Sequence, residues 1–215
     1  MLNKKRAQDN ADRQTRLKAI QSKQRASDRR RTTLILGSIG AVVVAIVVSV
    51  TIVIVGQVQE NQRIEALASQ PIEGIEEYED LTFNHIEGPV EYEQSPPVGG
   101  DHNAIWTNCG VYTSEIPNEN TVHSMEHGAV WITYQPDLPQ AEVDTLTDLV
   151  GSSGYVLLSP NAEQETPVMV SAWSIQLGVD SVDDSRLPVF LERYIQGEQS
   201  REPGAACTGG ITPAA

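Results

Sequence analysis

The chain alternates between stretches whose apolar residues follow quite different periods. Leu34–Val55 runs 22 residues without a charge. At 1.5 Å per residue such a helix reaches roughly 33 Å, enough to cross a hydrocarbon core of about 30 Å. Good helix formers continue from Gln57 to Ala68, so the helix is expected to run on as a stalk until Pro71 stops it. Residues 1–30 are polar nearly all round and predict a disordered arm or a solvated helix. Beyond the stalk, PIEGIEEYED reads as an acidic, solvated linker.

From Leu81 the periods become those of a small globular unit. Val90–Tyr92 predicts a short strand, SPPVGGDH a turn, and Ala104–Tyr112 a further strand. Asn118 or Asn120 caps a short helix over Val122–His127, with Gly128 as its stop. AVWITY, Ala129–Tyr134, is a buried-type strand. A helical stripe follows at Ala141, Val143, Leu146, Leu149 and Val150, then strands at Tyr155–Leu158 and Val168–Trp173. Asp183 or Asp184 opens a last helix with Leu187, Phe190, Leu191 and Tyr194 on its inner face, stopped by Gly197.

These elements predict an α+β chain: one N-terminal transmembrane helix, then a small mixed-sheet α/β sandwich with β-α-β-β-α in its C-terminal half. The divisions are a basic arm (1–33), the membrane helix (34–55), a stalk and acidic linker (56–80) and an extracytoplasmic domain (81–215). In topology the last half resembles the second half of a thioredoxin-like domain, without that fold's Cys-x-x-Cys.

Charge sharpens the division. Residues 1–33 carry eleven basic residues against three aspartates, a net of +8, whereas the rest of the chain has a net of −22. The positive-inside rule keeps the arm in the cytoplasm and places residues 56–215 outside. The expected partners are the lipid membrane, anionic headgroups drawn to the arm, and an envelope protein of unknown identity. No groove-reading or stacking residues accompany the basic charge, so nucleic acid is not expected. Ala66-Leu67-Ala68 loosely matches a signal-peptidase site, but the apolar run is long and late for a cleaved signal.

Candidate chemistry is concentrated in Pro96–Tyr134, with His102, His123 and His127, and with His85 just upstream. His123-Ser124-Met125-Glu126-His127 fits H-x-x-E-H, the inverted zinc-protease pattern, in which Glu126 would be the general base. On a helix, residues four apart share a face and can hold one ion, whereas on a strand they lie about 13 Å apart. Three readings follow. His102, His123 and His127, with Met125 or His85 as an added ligand, hold a transition metal, copper before zinc; the histidines form a hydrogen-bonded polar core with Glu126 pairing one of them; or the motif serves a zinc-dependent hydrolase. A hydrolase fits poorly in about 130 residues, so a non-enzymatic accessory or binding role leads. Two cysteines in an exported domain suggest a Cys109–Cys207 disulfide; the alternative leaves Cys109 as a soft metal ligand.

The series His85, Val90-x-Tyr92, PPxGGxH (96–102), Trp106-x-Asn108-Cys109-Gly110-x-Tyr112 and VHSxEHG (122–128), followed by AVWITY, resembles the bacterial membrane-anchored domain of unknown function 3105 family. The resemblance covers residues 80–210 and implies an extracytoplasmic domain behind one membrane helix, at the bacterial cell membrane. It implies no activity and no catalytic residues.

Overall fold

The computed structural model describes residues 2–151 and 153–213. They form helix α1 (Leu2–Ala68), strands β1 (Glu76–Glu77) and β2 (Gly110–Val111), helix α2 (Asn118–Glu126) and strand β3 (Val130–Tyr134). Helix α3 (Gln140–Val150), strands β4 (Val156–Pro160), β5 (Val168–Ala172) and β6 (Ile175–Val179) and helix α4 (Arg186–Tyr194) complete the chain.

The chain divides into two units, one up to Glu60 and one from Asn61 onward. The first is helix from Leu2 onward, and its side chains from Asp12 onward are exposed, apart from Ile39, which lies outside the described side chains. Lys4, Lys5 and Arg6 of the basic arm also have side chains outside the described set. Among the described residues, α1 is the one helix long and apolar enough to cross a membrane, with a best-window mean hydropathy of 2.9. The hydroxyls within the apolar run bond back into the helix: Ser38 to Ile35 O, Ser49 to Ala45 O and Thr51 to Val47 O, at 2.8–2.9 Å. Such back-bonding leaves no hydroxyl needing water along an apolar surface.

The second unit is built on one mixed sheet in the order β1-β6-β5-β3-β4-β2. β3 and β4 run parallel, with Trp131 opposite Leu157. β5 is antiparallel to both β3 and β6, and Trp173–Ser174 turns the β5–β6 hairpin. Alternation along β3 sorts its side chains to two cores. Val130, Ile132 and Tyr134 pack with α3 (Leu146, Val150) and α4 (Leu187, Phe190, Leu191, Tyr194). Trp131 points the other way and joins Val122 and Met125 of α2, with Tyr112, Trp173 and Cys207. The architecture is the expected α+β sheet with helices on its faces, with β6 present in addition to the strands the pattern predicted.

Two other expectations change. Val90–Tyr92 is not a strand; among the described residues no strand pairs with it, and side chains hold it instead. The Val90 N–H donates to Glu119 Oε1 at 3.0 Å, and the Tyr92 hydroxyl donates to Asp101 O at 2.8 Å. Of Ala104–Tyr112 only Gly110–Val111 is strand. The acidic run keeps Glu76 and Glu77 exposed as expected, yet their backbone adds an edge strand against β6.

The PPVGGDH turn needs its glycines. Gly99 and Gly100 have φ of +152° and +114°, and a Cβ on Gly99 would lie 2.8 Å from Leu81 Cδ1 and 3.3 Å from the Trp173 ring. The turn delivers His102 to the sheet end, and the Ser174 N–H fastens the adjoining backbone by donating to Val98 O at 2.7 Å.

The C-terminal segment is a strap tied to the domain at several points between residues 202 and 211. Cys109 and Cys207 are disulfide-bonded across a separation of 98 residues. Around that bond, the Cys109 N–H donates to Cys207 O (2.8 Å), Glu202 N–H to Glu126 O (2.9 Å) and Ile211 N–H to Trp106 O (2.9 Å).

Candidate metal centre

Two local devices bring the site together. The first is a backbone bridge, in which the His102 N–H donates to Asn84 O (3.0 Å) and the Ile86 N–H donates to His102 O (2.8 Å). It places His85 beside His102 on parallel extended segments. The second is α2, which presents His123 and Glu126, three residues apart and therefore neighbours on its surface, to that pair.

The result is a group of His85, His102, His123 and Glu126 whose ligand atoms all lie within 4.8 Å of one another. His102, His123 and Glu126 are buried, at 0%, 3% and 4% exposure. The His85 side chain is 46% exposed and forms the open side. The rings pack at 4.7 Å between His85 and His123 and at 4.9 Å between His102 and each of the other two.

Hydrogen bonding fixes which nitrogens face inward. His102 Nδ1 lies 2.8 Å from Gly100 O, and His123 Nδ1 lies 2.7 Å from Asn103 O. A carbonyl oxygen only accepts, so each Nδ1 carries the proton and, in the neutral ring, each Nε2 is a lone pair. Metal-binding histidines are commonly oriented in this way. His102 Nε2 then stands 2.9 Å from Glu126 Oε2. Two acceptors at that separation repel unless a proton or a cation lies between them. This is the central electrostatic fact of the site.

A zinc ion with ligands at about 2.0–2.2 Å brings its donor atoms within roughly 3.5 Å of each other. Donor atoms that lie within 4.8 Å of one another need to close by at most about 1.3 Å to meet on one ion. The four residues therefore fit a divalent ion.

The remaining expected ligands are placed elsewhere. Met125 is fully buried in the apolar cluster with Val122 and Trp131, on the sheet side of α2. His127 touches the His123 ring at 4.5 Å, but its Nδ1 is 2.7 Å from Ala206 O and its Nε2 is 3.6 Å from Glu202. It caps α2 and is not part of the four-residue group. Both cysteines are in the disulfide, so Cys109 is not a thiolate ligand. Glu126, expected as a general base or as the partner of one histidine, pairs with His102 and lies among the donors. Its proximity to the histidines in the motif was the available signal.

Burial pushes His123 down to about 4, reinforced by the neighbouring His127, His102 and His85 and opposed by its bond to Asn103. The unfolded chain, with His near 6.5, binds a proton more readily than the folded chain. This contribution to stability is complete above pH 6.5 and is lost as pH falls toward 4. Urea unfolding of the metal-free chain is expected to lose on the order of 3 kcal/mol across that window. The His123→Gln chain is expected to lose that dependence; an identical slope in both would place the titrating group elsewhere.

The family described as "Protein of unknown function (DUF3105)" matches residues 85–209, more than half of the chain and all four clustered residues. The chain belongs to this family. No curated protein and no solved structure matches the chain. The DUF3105 match begins at His85 itself and extends past Cys207, so it includes both the cluster and the disulfide.

Proposed function

We propose that this chain is a single-pass protein of the bacterial cell membrane whose extracytoplasmic domain binds one divalent transition-metal ion. His85, His102, His123 and Glu126 would hold it. The observation that carries this reading is the convergence of three imidazoles on the buried Glu126 carboxylate, with His102 Nε2 at 2.9 Å and His85 Nε2 at 3.6 Å from it. A cation there satisfies all four groups at once.

Three imidazoles and one carboxylate, with no sulfur, suit Zn(II) or Cu(II); Cu(I), which prefers soft donors, loses its support with Met125 turned into the core. The net +8 of residues 1–33 supports a cytoplasmic arm, and the disulfide suits an oxidising compartment outside the membrane. In this reading Glu126 is a ligand and the domain an accessory or binding module, with an envelope protein as its partner.

The test is metal content. The full chain in detergent, exposed separately to Zn(II) and Cu(II) and desalted, is expected to retain about one ion per chain by elemental analysis. Retention of neither ion would overturn the proposal.

A further inference from the structure

Arg201 stands beside the Glu126 carboxylate, with its guanidinium over the Phe83 ring. The Glu202 N–H donates to the backbone O of Glu126 at 2.9 Å, which brings the preceding residue close to Glu126. The Arg201 Cζ lies 3.4 Å from the centroid of the Phe83 ring, two residues before His85. Its Nε is 3.8 Å from Glu126 Oε1, beyond hydrogen-bonding distance, and the side chain is 38% exposed.

The other acids nearby already have partners. Asp101 accepts from the Asn84 N–H at 2.9 Å and from Asn84 Nδ2 at 2.8 Å. Those bonds, with one from Thr82, hold its carboxyl below the usual range. The Glu202 carboxylate lies toward His127 Nε2, at 3.6 Å. Glu126 turns its other oxygen to His102. Among the described residues, the guanidinium thus meets one carboxylate, at long range, and an aromatic face.

We propose that the centre takes a small oxyanion as its external ligand, bound to the ion on the His85 side and received by the Arg201 guanidinium. This rests on the metal reading above. A guanidinium held over a ring is already ordered, and its planar fork matches two oxygens of a carboxylate or a tetrahedral oxyanion. A dication brought beside Arg201 sets like charges close together, and an anion between them relieves that repulsion. Phe83 supports Arg201 as a positioning residue.

The full chain in detergent is loaded with Co(II), whose visible d–d bands report ligand exchange. It is then titrated with sodium acetate and sodium sulfate, using sodium perchlorate at equal ionic strength as the control. A saturable spectral change with acetate, sulfate or both supports the proposal, and the responding salt identifies carboxylates or tetrahedral oxyanions as the class. Arg201→Gln is expected to weaken that response about tenfold or more, and Arg201→Lys less, because it keeps the charge without the fork. Phe83→Leu, expected to lower the anion affinity by freeing the guanidinium, repeats the test should Arg201→Gln fold poorly by circular dichroism. Bound Co(II) with no saturable response, or an equal response in a folded Arg201→Gln chain, overturns the oxyanion proposal and leaves the metal site standing. Failure of the unaltered chain to bind Co(II) overturns the oxyanion proposal, and the metal reading falls with it where Zn(II) and Cu(II) are not retained either.

Discussion

His102→Ala is expected to lower the affinity of the full chain for Zn(II) by more than about 100-fold, beyond the roughly 10–100-fold that loss of an outer-shell partner costs. His102 supplies a buried lone pair and faces the one carboxylate of the centre at 2.9 Å. His123→Ala and Glu126→Gln are expected to act in the same direction. His127→Ala and Met125→Leu serve as contrasts. His127 touches the His123 ring but points its nitrogens to Ala206 and Glu202, and Met125 lies in the apolar core. Both are expected to leave the affinity within a few-fold, with Met125→Leu costing less than about 1.5 kcal/mol of stability. Competition against a chromophoric chelator reads all five. A centre in which the imidazoles only fill a polar core gives another pattern: each histidine change lowers the melting temperature, and none changes an affinity.

Cys207→Ser is expected to cost the largest single share of stability. In the chain-entropy model, closing a loop of 98 residues lowers the free energy of folding by about 4–5 kcal/mol. Cys207 is also 3% exposed and packs in the core with Trp131 and Trp173, so a serine there places a hydroxyl among apolar groups. Urea unfolding followed by tryptophan fluorescence, under non-reducing conditions, measures the difference. A loss below about 1 kcal/mol would show that backbone bonds alone hold the strap.

Much of the fold was legible because its periods were unambiguous. AVWITY is apolar at nearly every position, and β3 is buried at all five of its residues. β6 escaped because Gln176 and Gly178 interrupt its apolar residues, although Ile175, Leu177 and Val179 alternate as a half-buried strand should. Gln176 is itself buried, its Nε2 donating to Pro96 O (3.0 Å) and Ser171 Oγ (2.9 Å), which composition alone does not reveal. Val90–Tyr92 misled for the opposite reason: its residues favour strands, but strand identity requires a neighbour.

The site was legible as a region and less so as a set of donors. Membership depends on the phase of α2, and each residue turns the helix by about 100°. His123 and Glu126 fall on the side facing the His85–His102 bridge, while Met125 falls on the side facing Trp131. Whether Glu126 or His127 completes the group depends on where the helix ends. Gly128, at φ +97°, follows the cap residue His127, whose ring is turned to Ala206. The contribution of residues 201–207 is set by long-range pairing, which no local pattern announces.

The strap also orders events in the life of the chain. The segment that flanks Glu126 and His127 comes from residues 201–207, which leave a ribosome or pass through a membrane pore after all four donor residues. His85, His102, His123 and Glu126 are synthesised long before it. Under the topology proposed above, an emerging chain displays its donor residues before the segment that encloses them has arrived. Enclosure of those residues therefore waits until the chain has been exported as far as the strap. A chain cut short before Cys207 would reach the cell surface with the donor residues in its sequence and no strap to enclose them.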